Sequence, residues 1–298
     1  MGYLFLALAL LCGVTKGYCG KKTSGYVEGF GDAMFTNTVR MVFCIIIGAA
    51  MMLFGKINVL DALDGGIILI SAFSGITTSV FVVTWLVSVK KGAYMMLDVF
   101  LMLGVLVPIL LSFALFGEPV RLNQWIGLIV LFVAVVIMCS YNNSIKEKIT
   151  PFSFFLLVLS GAANGLTSFS QKLFIKSYSH IPVSVFNFFT YVFSAIVLAV
   201  FFFVFRAKEN REKRKGVFGI RKILGYVLVM SVCLFLNSYF STLAAAHLDS
   251  ATLYPLNQGA ALVLSSLMSA VFFKEKLTGK CIIGLCLCFA GLIIINVL

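Results

Sequence analysis

Ten apolar stretches, each about as long as a bilayer is thick, fill the chain almost end to end. They cover residues 3–20, 32–55, 65–88, 92–116, 122–140, 152–171, 182–205, 223–247, 250–273 and 279–298. A spanning helix needs about 20 predominantly apolar residues to cross a hydrocarbon core of roughly 30 Å. Backbone polar groups in lipid must be satisfied within the segment, which uninterrupted runs of this length achieve only as helices. The remainder is short loops. The sequence therefore predicts an all-α polytopic membrane protein of ten transmembrane helices with no soluble domain. With 61% hydrophobic and 11% charged residues, too little charge is left to coat a water-exposed surface.

The first stretch has the length of a secretory leader. However, Met1-Gly2-Tyr3 gives it no basic start, and Gly17-Tyr18-Cys19-Gly20 offers no small-x-small cleavage pattern. Leu11 also fills the position before Cys12 where a lipoprotein site wants a small residue. The segment is read as the first span.

A net charge of +12 would suggest nucleic acid if it lay on a soluble face. Here it lies in loops, with eight basic residues between Arg206 and Lys222. That cluster reads as a solvated, topology-setting loop, and no nucleic-acid partner is implied. The eight cysteines show no CxxC spacing, and His180 and His247 stand apart. Cys286 and Cys288 point about 200° apart around a helix. No metal site, disulfide framework or cofactor is implied.

An internal repeat organises the chain. The longest polar loop before the basic one is residues 140–150, and Thr150-Pro151 opens the next helix as N-cap and first-turn proline. An offset of 157 lays Leu110, Ser112, Phe116, Glu118, Gly127 and Phe132 on Leu267, Ser269, Phe273, Glu275, Gly284 and Phe289. An offset of 148 lays Gly13-Val-Thr-Lys-Gly17 on Gly161-Ala-Ala-Asn-Gly165. These registers divide the chain into a first five-helix repeat at 1–141, a linker at 142–151 and a second repeat at 152–298. Five is odd, so the second repeat enters the bilayer from the opposite side. Inverted repeats of this kind surround a midplane site and alternate its access.

Two motif copies stand out: Pro108, Phe116-Gly117-Glu118-Pro119 and Gln124-Trp125-Ile126-Gly127, then Tyr254-Pro255, Phe273-Lys274-Glu275 and Ile283-Gly284, with Thr38-Val39-Arg40 early in the second span. Together they resemble the drug/metabolite transporter superfamily, specifically its ten-helix EamA-type members. The resemblance covers essentially the whole chain and implies a transporter with both termini in the cytoplasm. The chain departs from the pattern at Pro108, whose partner at offset 157 is Ser265, and in its strongly cationic loop between the seventh and eighth spans. The superfamily's small multidrug members use an acid in the first helix, whereas residues 1–27 here contain none.

Candidate site residues are the ionisable and polar groups placed in hydrocarbon, where they are costly. Lys16 lies within a small-xxx-small frame, and its repeat partner Asn164 is also polar, so both are expected to face the cavity. Arg40 either joins them or snorkels to the interface. Asp98 shares a helix face with Tyr94 and is either an internal ion-pair partner or a coupling carboxylate. Asn237, Tyr239, Tyr254, Asn257 and Gln258 form a polar patch around Pro255, suited to hydrogen-bonding a solute or to joining helices. Glu118 and Glu275 sit at helix junctions, where a carboxylate is expected to cap the following helix. The aromatic run Phe201–Phe205 reads as a lipid-facing belt.

The resulting expectation is a secondary transporter, driven by an ion gradient or by exchange, that moves a small polar metabolite across the plasma or inner membrane. Lys16 and Arg40, with few membrane acids, favour an anionic or carboxylate-bearing solute. A lipid or lipid-linked headgroup flippase is the alternative on the same fold, and would present a charged groove open between helices rather than a closed polar chamber. A membrane-embedded enzyme would need clustered titratable groups that three scattered charges do not supply. Orientation is contested. Odd-numbered loops and adjoining helix ends hold 19 of the 23 basic residues. The positive-inside rule then puts the termini outside, against the family resemblance. Both arguments place the two termini on one side.

Overall fold

The computed structural model describes residues 1–27, 30–57, 64–90, 94–140, 151–208, 220–273 and 279–297. Among them the chain forms eleven helical segments. The first half contributes α1 (Gly2–Ser24), α2 (Phe30–Phe54), α3 (Gly65–Lys90), α4 (Tyr94–Gly104), α5 (Leu106–Phe116) and α6 (Leu122–Ser140). The second contributes α7 (Pro151–Ser177), α8 (Val183–Lys208), α9 (Ile220–Ala245), α10 (Ser250–Phe273) and α11 (Gly279–Val297). Six of them, α1 to α3 and α7 to α9, are long and apolar enough to cross a bilayer by themselves.

The fourth predicted span is a broken one, which accounts for eleven segments in ten spans. Pro108 has no N–H to give the carbonyl four residues back, which belongs to Gly104. The helix is interrupted at that point, and Val105 N–H bonds Met102 O at 3.1 Å in a tighter turn. Pro255 lies inside α10, which runs through it without a break from Ser250 to Phe273.

The repeat is visible in which helices pack together. The most extensive contacts are α1 with α9, α3 with α7, α2 with α8 and α6 with α11. Exchanging the halves turns the first pair into the second and returns the other two to themselves, as a pseudo-two-fold axis requires. Equivalent helices run in opposite directions. Asn123 Nδ2 donates to Ile294 O at 3.5 Å, and a side chain on Gly291 would meet both Gly127 O and Leu131. Phe35 meets Phe202 at 5.4 Å, while further along α2 Gly48 meets Phe188. Rising numbers in one half match falling numbers in the other, so the repeats are inverted.

Both ends of the described chain lie on one face. Gly2 packs against His247 and Leu248 in the α9–α10 turn, and Ile294 sits beside the start of α6. The outward surface is apolar, as a bilayer-facing one must be. Phe201 and Phe203 are exposed at the end of α8, and Phe202 turns inward.

Candidate functional site

Four helices carry polar residues at the spacing that puts them on one face. On α7 these are Asn164, Thr167, Ser168 and Gln171; on α9, Asn237, Ser238 and Ser241; on α10, Tyr254, Asn257 and Gln258. The fourth, α1, offers Gly13, Lys16 and Gly17. Steps of three and four hold such residues on a single helical stripe. The stripes converge on a cavity of about 130 Å³, walled also by Phe81 and Trp85 of α3 and Leu101 of α4. That is room for several waters or a small solute.

Six of the predicted site residues meet here: Lys16, Asn164, Asn237, Tyr254, Asn257 and Gln258. Two of them also join helices. Asn237 Nδ2 donates to Ala9 O at 2.7 Å, and the Tyr254 hydroxyl donates to Ser168 O at 2.8 Å. The amides of Asn164, Asn257 and Gln258 make no hydrogen bond to any described residue. They present donors and acceptors to whatever fills the cavity. The Lys16 ammonium lies over the Phe81 ring at 5.9 Å, a cation–π contact that fixes it beside the chamber. It is the one cationic side chain in the lining, and no carboxylate lines it among the described residues.

Two predicted residues lie elsewhere. Arg40 neither lines the cavity nor snorkels: it is 2% exposed. Its Nη1 donates to Asn37 Oδ1, and Asn37 Nδ2 in turn donates to Val82 O of α3 at 3.1 Å. The guanidinium is thus buried inside the bundle, linked through Asn37 to α3 and close to Cys19 of α1 and Tyr191 of α8. Tyr239 also misses the cavity, because its place on α9 turns it toward Phe235 and Phe240. Tyr94 and Asp98 fall on α4, but their side chains lie outside the described residues, as does Glu275.

Glu118 does not cap the helix that follows it. Gly117 ends α5 in the left-handed conformation, φ 63°, which a residue without a Cβ adopts freely. That turn aims Glu118 across to the other half. Its Oε2 accepts the Ser250 N–H at the start of α10, 3.0 Å, while Oε1 pairs with Lys172 at 3.0 Å and Lys176 at 3.2 Å. The start of α6 is instead held by Gln124 Oε1, which accepts Arg121 N–H at 2.8 Å. Lys172 is buried, and it also donates to Ala245 O and Leu248 O at 3.1 and 2.8 Å. Burial pushes the Glu118 carboxyl up, but the hydrogen bonds from Ser250 and Lys172 outweigh it and hold it below the ordinary range. Nothing local in the sequence distinguishes Lys172 and Lys176 from interfacial anchors. Gln171, Thr167 and Ser168 were legible as one stripe with Asn164.

The repeat-related seams are not alike. On one side α4 and α7 touch backbone to backbone: a Cβ on Gly104 would strike Gly161 O, and one on Gly165 would strike Gly104 O. On the other side, the equivalent positions Gly13, Gly17 and Ala261 of α1 and α10 line the cavity.

A solved structure shares the fold, with a TM-score of 0.70 at 17% identity over 97% of this chain and 96% of that one. No curated protein matches the sequence. The profile of the EamA-like transporter family matches twice, over residues 1–140 and 151–297. With two inverted repeats enclosing a polar chamber and both copies matched, the chain belongs to the EamA-like transporter family and is a multi-pass membrane transporter.

Proposed function

We propose that the protein is a secondary transporter of a small, polar, anion-bearing solute, working by alternating access in the cell membrane. The observation that carries this reading is the central chamber, where one ammonium and three amides converge and, among the described residues, no carboxylate lines the wall. Charge-assisted hydrogen bonds from a lysine to a carboxylate or phosphate oxygen are about twice as strong as neutral ones. The amides suit the polar remainder of the solute. Arg40 acts at one remove, adding positive potential near Tyr191, which lines the chamber. The unequal seams support alternation: the shut α4–α7 contact and the open α1–α10 position are the two states that inverted repeats exchange. The chamber, rather than a charged groove open to lipid, favours a solute over a lipid headgroup as cargo.

The test is flux of a metabolite panel into vesicles containing the purified protein. Lys16→Ala is expected to weaken uptake of anionic solutes at least tenfold, as loss of a hydrogen bond to a charged group worth about 1.5–3 kcal/mol predicts. Asn164→Ala is expected to lower it by a smaller factor. Both variants keep their helices apolar enough to insert. Wild-type flux in both, at equal protein, would remove the chamber from the pathway.

Asp98 is the proposed coupling carboxylate, since the first span has no acid to serve. Asp98→Asn is expected to abolish accumulation against a gradient while leaving exchange of solute down its gradient. Unchanged accumulation and an unchanged pH profile would end that role.

A further inference from the structure

On the outer surface of the α1–α10 seam lies an apolar groove of about 400 Å³, walled by Val14 and Tyr18 of α1 and Leu264, Leu267, Val271 and Phe272 of α10. One end is closed where Tyr18 and Phe272 meet edge to face, ring centroids 5.5 Å apart. At that end the Lys22 ammonium sits over the Tyr18 ring at 5.9 Å, with Lys21 beside it in the last turn of α1. An apolar trough along a helix pair, ending under two cations at helix-end depth, has the polarity of a phospholipid standing in one leaflet. Lys22 and the end of α1 also belong to the face whose loops and helix ends carry 17 of the 23 basic residues, Lys16 and Arg40 being inside the bundle.

We infer that this groove holds an anionic phospholipid, one acyl chain along α1 and α10 and the phosphate at Lys21 and Lys22. A second groove supplies the contrast. It is as large, about 390 Å³, and is walled by residues such as Trp125, Ile129, Phe132 and Val136. No described cation lies over its rings, and the nearest helix-end cation in sequence is the single Arg121, one turn before Trp125. Juxtamembrane lysines attract anionic lipids by about 1 kcal/mol each, close to fivefold in affinity. The bound lipid flanks the wall of the chamber without being its cargo, because the groove lining is apolar while Lys16 on the same helix faces inward.

The experiment titrates delipidated, detergent-solubilised protein with dioleoylphosphatidylglycerol or dioleoylphosphatidylcholine, and counts retained lipid by native mass spectrometry. The intact chain is expected to hold one phosphatidylglycerol at least fivefold more tightly than phosphatidylcholine. Lys21→Gln with Lys22→Gln should erase that preference. Leu264→Trp, which fills the groove, should eject the lipid, whereas Ile129→Trp in the second groove should not. Helicity and melting midpoint in each variant separate lost binding from lost fold. Equal retention of the two lipids by the intact chain would overturn the inference. So would a preference that survives Leu264→Trp, since it would mean headgroup adsorption to the basic face only.

Discussion

Replacing Glu118 by alanine is expected to lower the stability of the bundle by about 3 kcal/mol, far more than a loop acid ordinarily contributes. Removing one partner of a buried ion pair leaves the other charge desolvated and uncompensated, at a cost of about 3–5 kcal/mol. Here the stranded partner is Lys172, which keeps its two carbonyl acceptors, Ala245 O and Leu248 O, so the lower end applies. The Ser250 N–H at the start of α10 loses its acceptor as well. Glu118→Gln retains an acceptor oxygen and is expected to lose less. The melting midpoint in detergent is the readout, and a change within half a kcal/mol would mean that Lys172 does not depend on the pair. The acid limb follows from linkage. The folded-state carboxyl is held below its ordinary value, so its contribution is complete above the unfolded value of about 4.3. It declines as the pH falls below that toward the folded one. Between pH 5 and 8 Glu118 adds no pH dependence. Glu118→Gln should flatten the part of the acid limb that this group supplies.

The second large effect is expected at the glycine crossing. Gly104→Leu forces a side chain into the path of the Gly161 carbonyl. Overpacking costs typically about 1–3 kcal/mol when side chains can yield. A backbone cannot yield, so α4 and α7 must part, and the cost should reach or exceed that upper figure while membrane insertion is unaffected. Ala261→Leu is the informative control. It occupies the repeat-equivalent position but borders the chamber, so it should scarcely change the melting midpoint and should block flux. Gly104→Leu melting like the parent chain would rule out the backbone crossing. Full flux through Ala261→Leu would rule out the chamber as the route.

Several layers of this fold were readable from the chain because they rest on local or periodic signals. Span count follows from runs of apolar residues whose required length the bilayer fixes. Inversion follows from arithmetic, five helices per repeat, and from the pairing of Glu118 with Glu275 and of Lys16 with Asn164 in register. About half of the polar cavity lining was also readable, because polar residues in hydrocarbon are few and recur every three or four positions. Arg40 shows where that inference stops. A charge in a span has two inexpensive places, a cavity and an interface, and sequence cannot anticipate a third, built for it by Asn37 on the preceding turn.

What the sequence by itself determined is therefore the solvent, the number and direction of the helices, and the faces that avoid lipid. Each is set by the transfer free energy of a residue or a turn, which neighbours along the chain suffice to define. Tertiary structure alone decided that Glu118 reaches past its own helix to Lys172, Lys176 and Ser250. It alone decided that one glycine seam is shut while its repeat partner opens onto the chamber. The physical reason is common to both. These contacts join residues about 55 to 130 positions apart, and their energy depends on distances of a few tenths of an ångström between backbones that only packing of the whole bundle fixes.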